Sequence, residues 1–458
     1  MNYNVLDNDH IGRLLVKLAI PAFTGMFVAT LYNVVDTIFI GQYVGSLGIA
    51  GLSIVFPLQM LSMGLGQMTG MGGASLVSRL IGAGNKNRAE KALGNAIIVN
   101  IILSLVILVA GLAYTDGWLR IMGASETVLP YARDYMSIIL VGLVFQTLDM
   151  AMNALLRAEG NARVPMVAMV IGAVSNIILD AVFIIPLQMG IKGAAIATVI
   201  AQVFSVIYTM FYYFSGNSFL KIKLRNLKLD FGTIKEIFTI GVASFGRTIG
   251  GSLSMVFVNR MLASYGGDYA VSTFGVVNRI MMFAIMPGIV IGQGLQPILG
   301  FNYGAQRYDR ALKVIKLALI AATISSVIVF AVLYIVPGPV IRIFTGDNEL
   351  IGQASYAARR IFIGISLIGA MMVGSTVFQA IGKATQSFVT SIARGVLFLF
   401  PLVFTLPRFW GTDGVWISFP IADALSLILT LSLFIPQVKK MSELNKHSRE
   451  ISEPQVQT

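Results

Sequence analysis

Runs of twenty or more apolar residues recur along the whole chain, separated only by short polar breaks, and each is long enough to cross a bilayer. Inside hydrocarbon the backbone must satisfy its own N–H and C=O groups, so runs of this length without strand-like alternation dictate helices. Breaks at Gly, Pro and charge clusters mark twelve spans, at about 14–40, 47–78, 93–114, 131–156, 164–185, 193–214, 234–263, 270–300, 312–336, 355–380, 387–406 and 414–435. Composition agrees, because charged residues make up 12% of the chain, half the share of an ordinary soluble domain at about 25%. There is no cysteine, and the two histidines, His10 and His447, lie in the terminal tails. Thiolate, disulfide and iron–sulfur chemistry are thereby excluded, and so is histidine chemistry in the core.

An even number of crossings puts both ends of the chain on one side. The loops and tails of that side hold 22 Lys and Arg, from Arg13 to Arg449, against four on the other, Arg120, Lys192, Arg342 and Arg408. This bias predicts cytoplasmic termini. The net charge of +12 is spread over many loops without stacking aromatics, so it reads as membrane orientation rather than a nucleic-acid surface. The N-terminus is acidic before its first apolar run and lacks the basic start of a signal peptide, so it is expected to be retained.

The chain also repeats itself. Leu156-Arg-Ala-Glu-Gly-Asn-Ala162 aligns with Phe378-Gln-Ala-Ile-Gly-Lys-Ala384 at an offset of 222, and Arg120-Ile-Met aligns with Arg342-Ile-Phe at the same offset. Gly190-Ile-Lys-Gly193 aligns with Gly411-Thr-Asp-Gly414 at 221, and the Gly84 and Gly304 loops align at 220. Two copies of a six-span unit follow, in the same orientation because six is even. The expected architecture is an all-α integral membrane protein of two parallel six-helix bundles around a central cavity. Its divisions are a first bundle at 1–216, a basic cytoplasmic linker at 217–232, a second bundle at 233–437 and a polar cytoplasmic tail at 438–458. The linker, with Lys221, Lys223, Arg225 and Lys228 and no apolar run, is expected to let the bundles rock.

This layout, with Tyr32-Asn-Val-Val-Asp36-Thr-Ile-Phe-Ile-Gly41 late in the first span, Asn176-Ile-Ile-Leu-Asp180 in the fifth and Leu-Arg-Ala-Glu-Gly-Asn-Ala ending the fourth, resembles the multidrug and toxic compound extrusion (MATE) family. The resemblance covers essentially the whole chain. It implies an antiporter that expels amphipathic, often cationic compounds in exchange for protons or sodium. It places the family's functional positions on Pro21, Tyr32, Asp36, Asn176, Asp180 and Thr198. Some branches of the family carry an acidic coupling residue in span seven or ten, and spans 234–263 and 355–380 hold no usable buried acid here.

The residues alone point to the same place. Four acids lie inside spans, Asp36, Asp149, Asp180 and Asp423, and an ionised carboxylate at bilayer depth costs about 2.5 to 3.5 kcal/mol on insertion scales. Tyr32 and Asp36 are four residues apart, as are Asn176 and Asp180, so each acid has a polar neighbour on its own helix face. With Thr198 they suit a shared site for one proton or one sodium ion; the alternative is a hydrogen-bond knot that ties two helices together. Asp149 and Asp423 have no acid nearby in sequence and are expected to face a cavity or to pair structurally, with Arg394 or Arg279 as partners. Pro21, fifteen residues before Asp36, is either a hinge or a static kink. The 22 methionines, Met286 among them, suit either an adaptable cavity or ordinary core filling.

Gly64, Gly66, Gly70, Gly72 and Gly73 follow no strand and are expected to serve close helix packing. Gly382-Lys-Ala-Thr lacks the upstream glycine of a phosphate loop, because position 377 is Val. No ATP hydrolysis, resident cofactor or nucleic-acid partner is therefore expected, only a monomer in lipid that carries small molecules. Two rivals remain: a flippase of lipid-linked sugars, favoured by Arg247, Arg279 and Arg394 inside the second half, and an intramembrane aspartyl hydrolase that would use Asp36 and Asp180.

Overall fold

The computed structural model describes residues 5–8 and 10–452. Residues 453–458 of the expected tail lie outside the described residues. Every regular element among the described residues is helical. In chain order the main helices are α1 (Ile11–Tyr43), α2 (Ser46–Gly82), α3 (Lys86–Ala113), α4 (Leu129–Ala158), α5 (Arg163–Ile184), α6 (Gly190–Phe214), α7 (Phe231–Gly304) and α8 (Tyr308–Ile335). They continue with α9 (Asn348–Ile361), α10 (Ile365–Ala380), α11 (Ala384–Ile392) and α12 (Pro407–Ser452). A 3-10 turn at Phe362–Gly364 joins α9 to α10, and a π-helical stretch at Ala393–Leu399 follows α11.

Eleven helical segments are long and apolar enough to cross a membrane. One of them, α7, has 74 residues and turns at Gly267, where φ is 66°. At about 1.5 Å per residue a straight helix of that length would span about 110 Å, against about 30 Å of hydrocarbon. It therefore makes two crossings, and the total is the twelve expected. The reversal falls on glycine because only glycine takes that φ without a Cβ clash.

The chain divides into two compact units. The first comprises Lys17–Thr248 with the short helix Val5–Asn8. The second runs from Ile249 to the last described residue and includes the stretch ending at Val16. The division at Thr248 lies within α7, seventeen residues past the start of the helix, whereas the sequence suggested a division at the linker.

In the first unit α2 crosses α4 closely: a Cβ on Gly66 would stand 3.1 Å from the Thr147 backbone, and one on Gly70 would stand 2.8 Å from the Ala151 Cα. Small residues let these backbones approach, as membrane helices require when no hydrophobic drive separates helix from lipid. Beside this crossing the Asn100 Nδ2 donates to Thr69 Oγ1 at 2.8 Å, and the Ser104 and Thr147 hydroxyls share a bond of 2.6 Å. The start of α7 leans on α2 in the same way, with Gly241 against the Met68 carbonyl and Gly72 against the Ile237 carbonyl.

The second unit repeats the crossing. A Cβ on Gly288 would stand 3.7 Å from the Gly369 Cα, and these positions are each 222 residues beyond Gly66 and Thr147. The three-dimensional contact thus shares the offset found in the sequence. Phe274 anchors the core here, 5.8 Å from the Phe419 ring and 6.3 Å from the Trp416 ring, centre to centre.

The linker is docked on α3 of the first unit. Asn95 on α3 donates to the carbonyls of Asn226 and Lys228 and accepts from the Asp230 N–H at 2.8 Å. Lys91 pairs with Asp230 at 3.0 Å, and Lys223 pairs with Glu90. A Cβ on Gly94 would collide with the Asn226 carbonyl, so the linker lies flat on α3. One of its basic residues, Lys223, meets Glu90, and its own acid, Asp230, meets Lys91, both partners standing in the first turns of α3.

Candidate functional site

The carboxyl groups of Asp36 on α1 and Asp180 on α5 come within hydrogen-bonding reach of each other. Both Asp180 oxygens and Asp36 Oδ1 are buried and accept no hydrogen bond from the described residues. Neither acid forms an ion pair with a described Lys or Arg. Asn176, one turn before Asp180, directs its Nδ2 to Thr198 Oγ1 on α6 at 3.4 Å, which leaves its Oδ1 buried without a donor. Tyr32 lies close enough to Asp36, Asp149 and Asp180 for all three to act on it electrostatically. Two carboxylates and an amide oxygen are therefore gathered without a fixed positive charge, a donor set that fits a hard monovalent cation or a shared proton.

Near the pair lie residues that the sequence did not single out. Tyr135 on α4 lies near enough to Asp36, Asp180 and Tyr32 for them to act on it electrostatically, and its hydroxyl accepts from Gln59 Nε2 on α2 at 3.3 Å. These residues sit in separate spans, and no spacing links them. Asp149 takes neutral partners instead of an arginine: Ser205 Oγ donates to its Oδ1 at 2.6 Å and Asn153 Nδ2 donates to its Oδ2 at 3.0 Å. Asn153 stands four residues after Asp149, the same spacing as Asn176 and Asp180, and that signal was available.

Asp423 is paired. Arg394 Nε donates to its Oδ1, and the acid is 1% exposed. Arg394 sits in the π-helical stretch and Asp423 on α12, and a Cβ at Gly364 would collide with Asp423 Oδ2. Removing one member of a buried pair strands the other charge, at a cost of about 3 to 5 kcal/mol. Asp423→Ala is expected near the low end, about 3 kcal/mol, since Arg394 keeps 23% exposure. Arg394→Met with Asp423→Leu should recover most of that loss. Thermal unfolding in detergent checks both, and a double variant no better than the single one refutes the pairing energetics. Arg279 is exposed and takes no part in this pair, and Met286 is buried in the second unit.

Pro21 lies within α1, which continues helically past it. Beyond the proline, Thr24, Thr30 and Asn33 hydrogen-bond the carbonyls of Ile20, Met26 and Ala29. Such back-bonding bends helices.

At the end of α4, outside the membrane segments, Glu159 clamps the linker. It accepts from Ser218 Oγ at 2.6 Å and from the N–H groups of Phe219 at 3.1 Å and Leu220 at 3.5 Å. Burial pushes its carboxyl from the ordinary 4.5 up to about 7, against the opposing pull of these donors. Because the folded value is the higher one, the native state binds more protons between these limits. The clamp is strongest below about 4.5, weakens as pH rises, and carries its full penalty, about 3 kcal/mol, above about 7. Amide exchange at Phe219 and Leu220, corrected for intrinsic rate, should accelerate across that window. Glu159→Gln should flatten the profile; an unchanged profile excludes this carboxyl as its source.

The model of the MatE family matches residues 21–182 and again 244–405. The chain belongs to the MatE family. The two matches lie 223 residues apart, in step with the internal repeat. Among curated relatives, the multidrug export protein MepA of Staphylococcus haemolyticus is 25% identical over 425 residues, covering 93% of each chain. The MATE multidrug transporter DinF-BH, solved as a complex with a ligand, is 40% identical with a TM-score of 0.88, over 95% of this chain and 97% of that one. A MOP superfamily transporter from Pyrococcus furiosus, described as having a binding pocket of reverse polarity, is 27% identical with a TM-score of 0.90, over 96% and 99%. The protein is thus a multi-pass membrane transporter with the two-lobed helical fold of its family.

Proposed function

We propose that the chain is a secondary active multidrug exporter that expels amphipathic cationic compounds in exchange for inward protons or sodium ions. One observation carries the reading: Asp36 and Asp180 lie together without a fixed counter-charge among the described residues, whereas the intramembrane acid of the second unit, Asp423, already has Arg394. A carboxylate pair of that kind is satisfied by a mobile cation. Asn176, Thr198 and Tyr32 would complete its surroundings, and Pro21 would let α1 bend as the charge state changes. The names of the relatives, a multidrug export protein and a multidrug transporter, support the substrate class.

A cation bound to the pair favours one helix arrangement over the other by its differential affinity. Its inward passage gains about 2.3 kcal/mol per 100 mV of membrane potential, which coupling turns toward export. The protein works as a monomer in the inner membrane with cytoplasmic termini.

A second reading, export of an acidic or lipid-linked substrate, draws on Arg247. It lies inside a membrane segment, and its hydrogen bond to Ser244 Oγ is long at 3.5 Å. Proteoliposomes with separately imposed proton and sodium gradients decide between them. Efflux of a cationic dye driven by one of the two gradients is the expected result. Movement of anionic probes alone, or no response to either gradient, overturns the proposal.

A further inference from the structure

Successive crossings place three turns of the second unit at one membrane edge: Gly267 in α7, the Pro337–Arg342 turn between α8 and α9, and Gly411 at the start of α12. Between the second of these and α9 opens a cleft of about 790 Å³. Tyr334 and Ile335 at the end of α8 form one wall, and Ser355, Arg359, Arg360 and Ile363 form the other. Its depth follows from the chain. The apolar run of α8 stops at Ile335, and the polar helix α9, with Arg359 and Arg360 in its last turn, leads into the apolar α10, so the cleft lies where hydrocarbon gives way to headgroups.

Its chemistry is one-sided, because the lining holds two arginines and no acid. Arg360 is fixed: its guanidinium stacks 3.5 Å from the centre of the Tyr356 ring, and its Nε is 3.8 Å from Asp413 Oδ1. The Tyr356 hydroxyl in turn donates to Asp413 Oδ2 at 2.9 Å. Arg359, the next residue, is exposed and forms no hydrogen bond or ion pair among the described residues. Flanking them, Ile335 is 69% exposed and Ile363 49% exposed, side chains that face lipid in a membrane. One pre-positioned guanidinium and one uncommitted guanidinium at headgroup depth, bordered by apolar surface, match an anionic amphiphile. The planar guanidinium fork suits phosphate oxygens.

We infer that this cleft binds the phosphodiester headgroup of an anionic phospholipid, with Arg359 and Arg360 holding the phosphate and Ile335 and Ile363 bordering the acyl chains. The site is separate from the Asp36 and Asp180 pair, which lies in the other unit.

The test is native mass spectrometry of the purified full chain in detergent, titrated with phosphatidylglycerol, with phosphatidylcholine, or with phosphatidylglycerol plus inorganic phosphate at fixed ionic strength. The wild type should retain phosphatidylglycerol more tightly than phosphatidylcholine. Arg359→Gln should weaken that binding about tenfold, the worth of one charge-assisted hydrogen bond, and Arg359→Lys should lie between. Arg359 has no partner to lose, so its variants should fold, and lipid-free thermal unfolding checks this. Equal binding of the two lipids by the wild type overturns the site without recourse to any variant. Undiminished binding by folded Arg359→Gln also overturns it. Full displacement by inorganic phosphate would make it a free-anion site and refute the lipid assignment.

Discussion

Asp36→Asn is expected to reduce gradient-driven export to the level of vesicles that lack the protein, while folded protein accumulates normally. Asparagine keeps the shape of the side chain but cannot change charge, and charge change at this position is what the proposed cycle uses. Folding should not suffer, because Asp36 pairs with no described cation and the substitution removes an insertion cost of about 2.5 to 3.5 kcal/mol. Dye efflux in proteoliposomes at matched protein amounts provides the measurement. Wild-type efflux from the variant would remove Asp36 from the coupling site.

The second large effect concerns the pair as a unit. Asp180→Asn should give the same loss as Asp36→Asn, and the double variant should be little worse than either. Two neighbouring carboxylates cannot both ionise cheaply in a poorly hydrated site, so in the proposed cycle they take up one proton or one cation jointly. Removing either member removes the joint site, and the two losses then fail to add. Transport by all three variants tests this directly: partial single defects that multiply in the double variant would mean that Asp180 acts apart from Asp36.

Much of the fold was legible because bilayer thickness and helix rise are fixed lengths, so run length alone marks a crossing. The break near Gly267 was visible in Gly266-Gly267-Asp268, even though the helices on either side merge into one element. The repeat was legible because motif spacing survives where individual residues drift. In the site, Asp36 and Asp180 each carried a polar neighbour one turn away, and a spacing of four is a local signal. Gln59 and Tyr135 carried none, since their meeting depends on how α2 and α4 cross. An arginine was the expected structural partner of Asp149, yet burial can be met by neutral donors, and Asn153 with Ser205 meets it. The docking of the linker was not legible for a related reason: Lys223 finds Glu90 across 133 residues, and pairing at that range has no periodicity to betray it.

The docked linker also separates the place where the chain looks divisible from the place where it divides. A protease nick between Gly216 and Lys228 would cut covalent continuity but free neither fragment. The segment that follows the nick remains fastened to the first unit through Asn95, Lys91 and the glycine contact of α7 with α2. Two polypeptides made by starting the second one inside the linker would therefore be fragments that share a unit, each supplying part of its wall. The first fragment alone would expose the groove on α2, beside Met68 and Gly72, into which the α7 backbone packs closely at Gly241. Co-expressed halves should associate through that groove as complementing pieces do, and a break placed beyond Thr248 would deny them the handle.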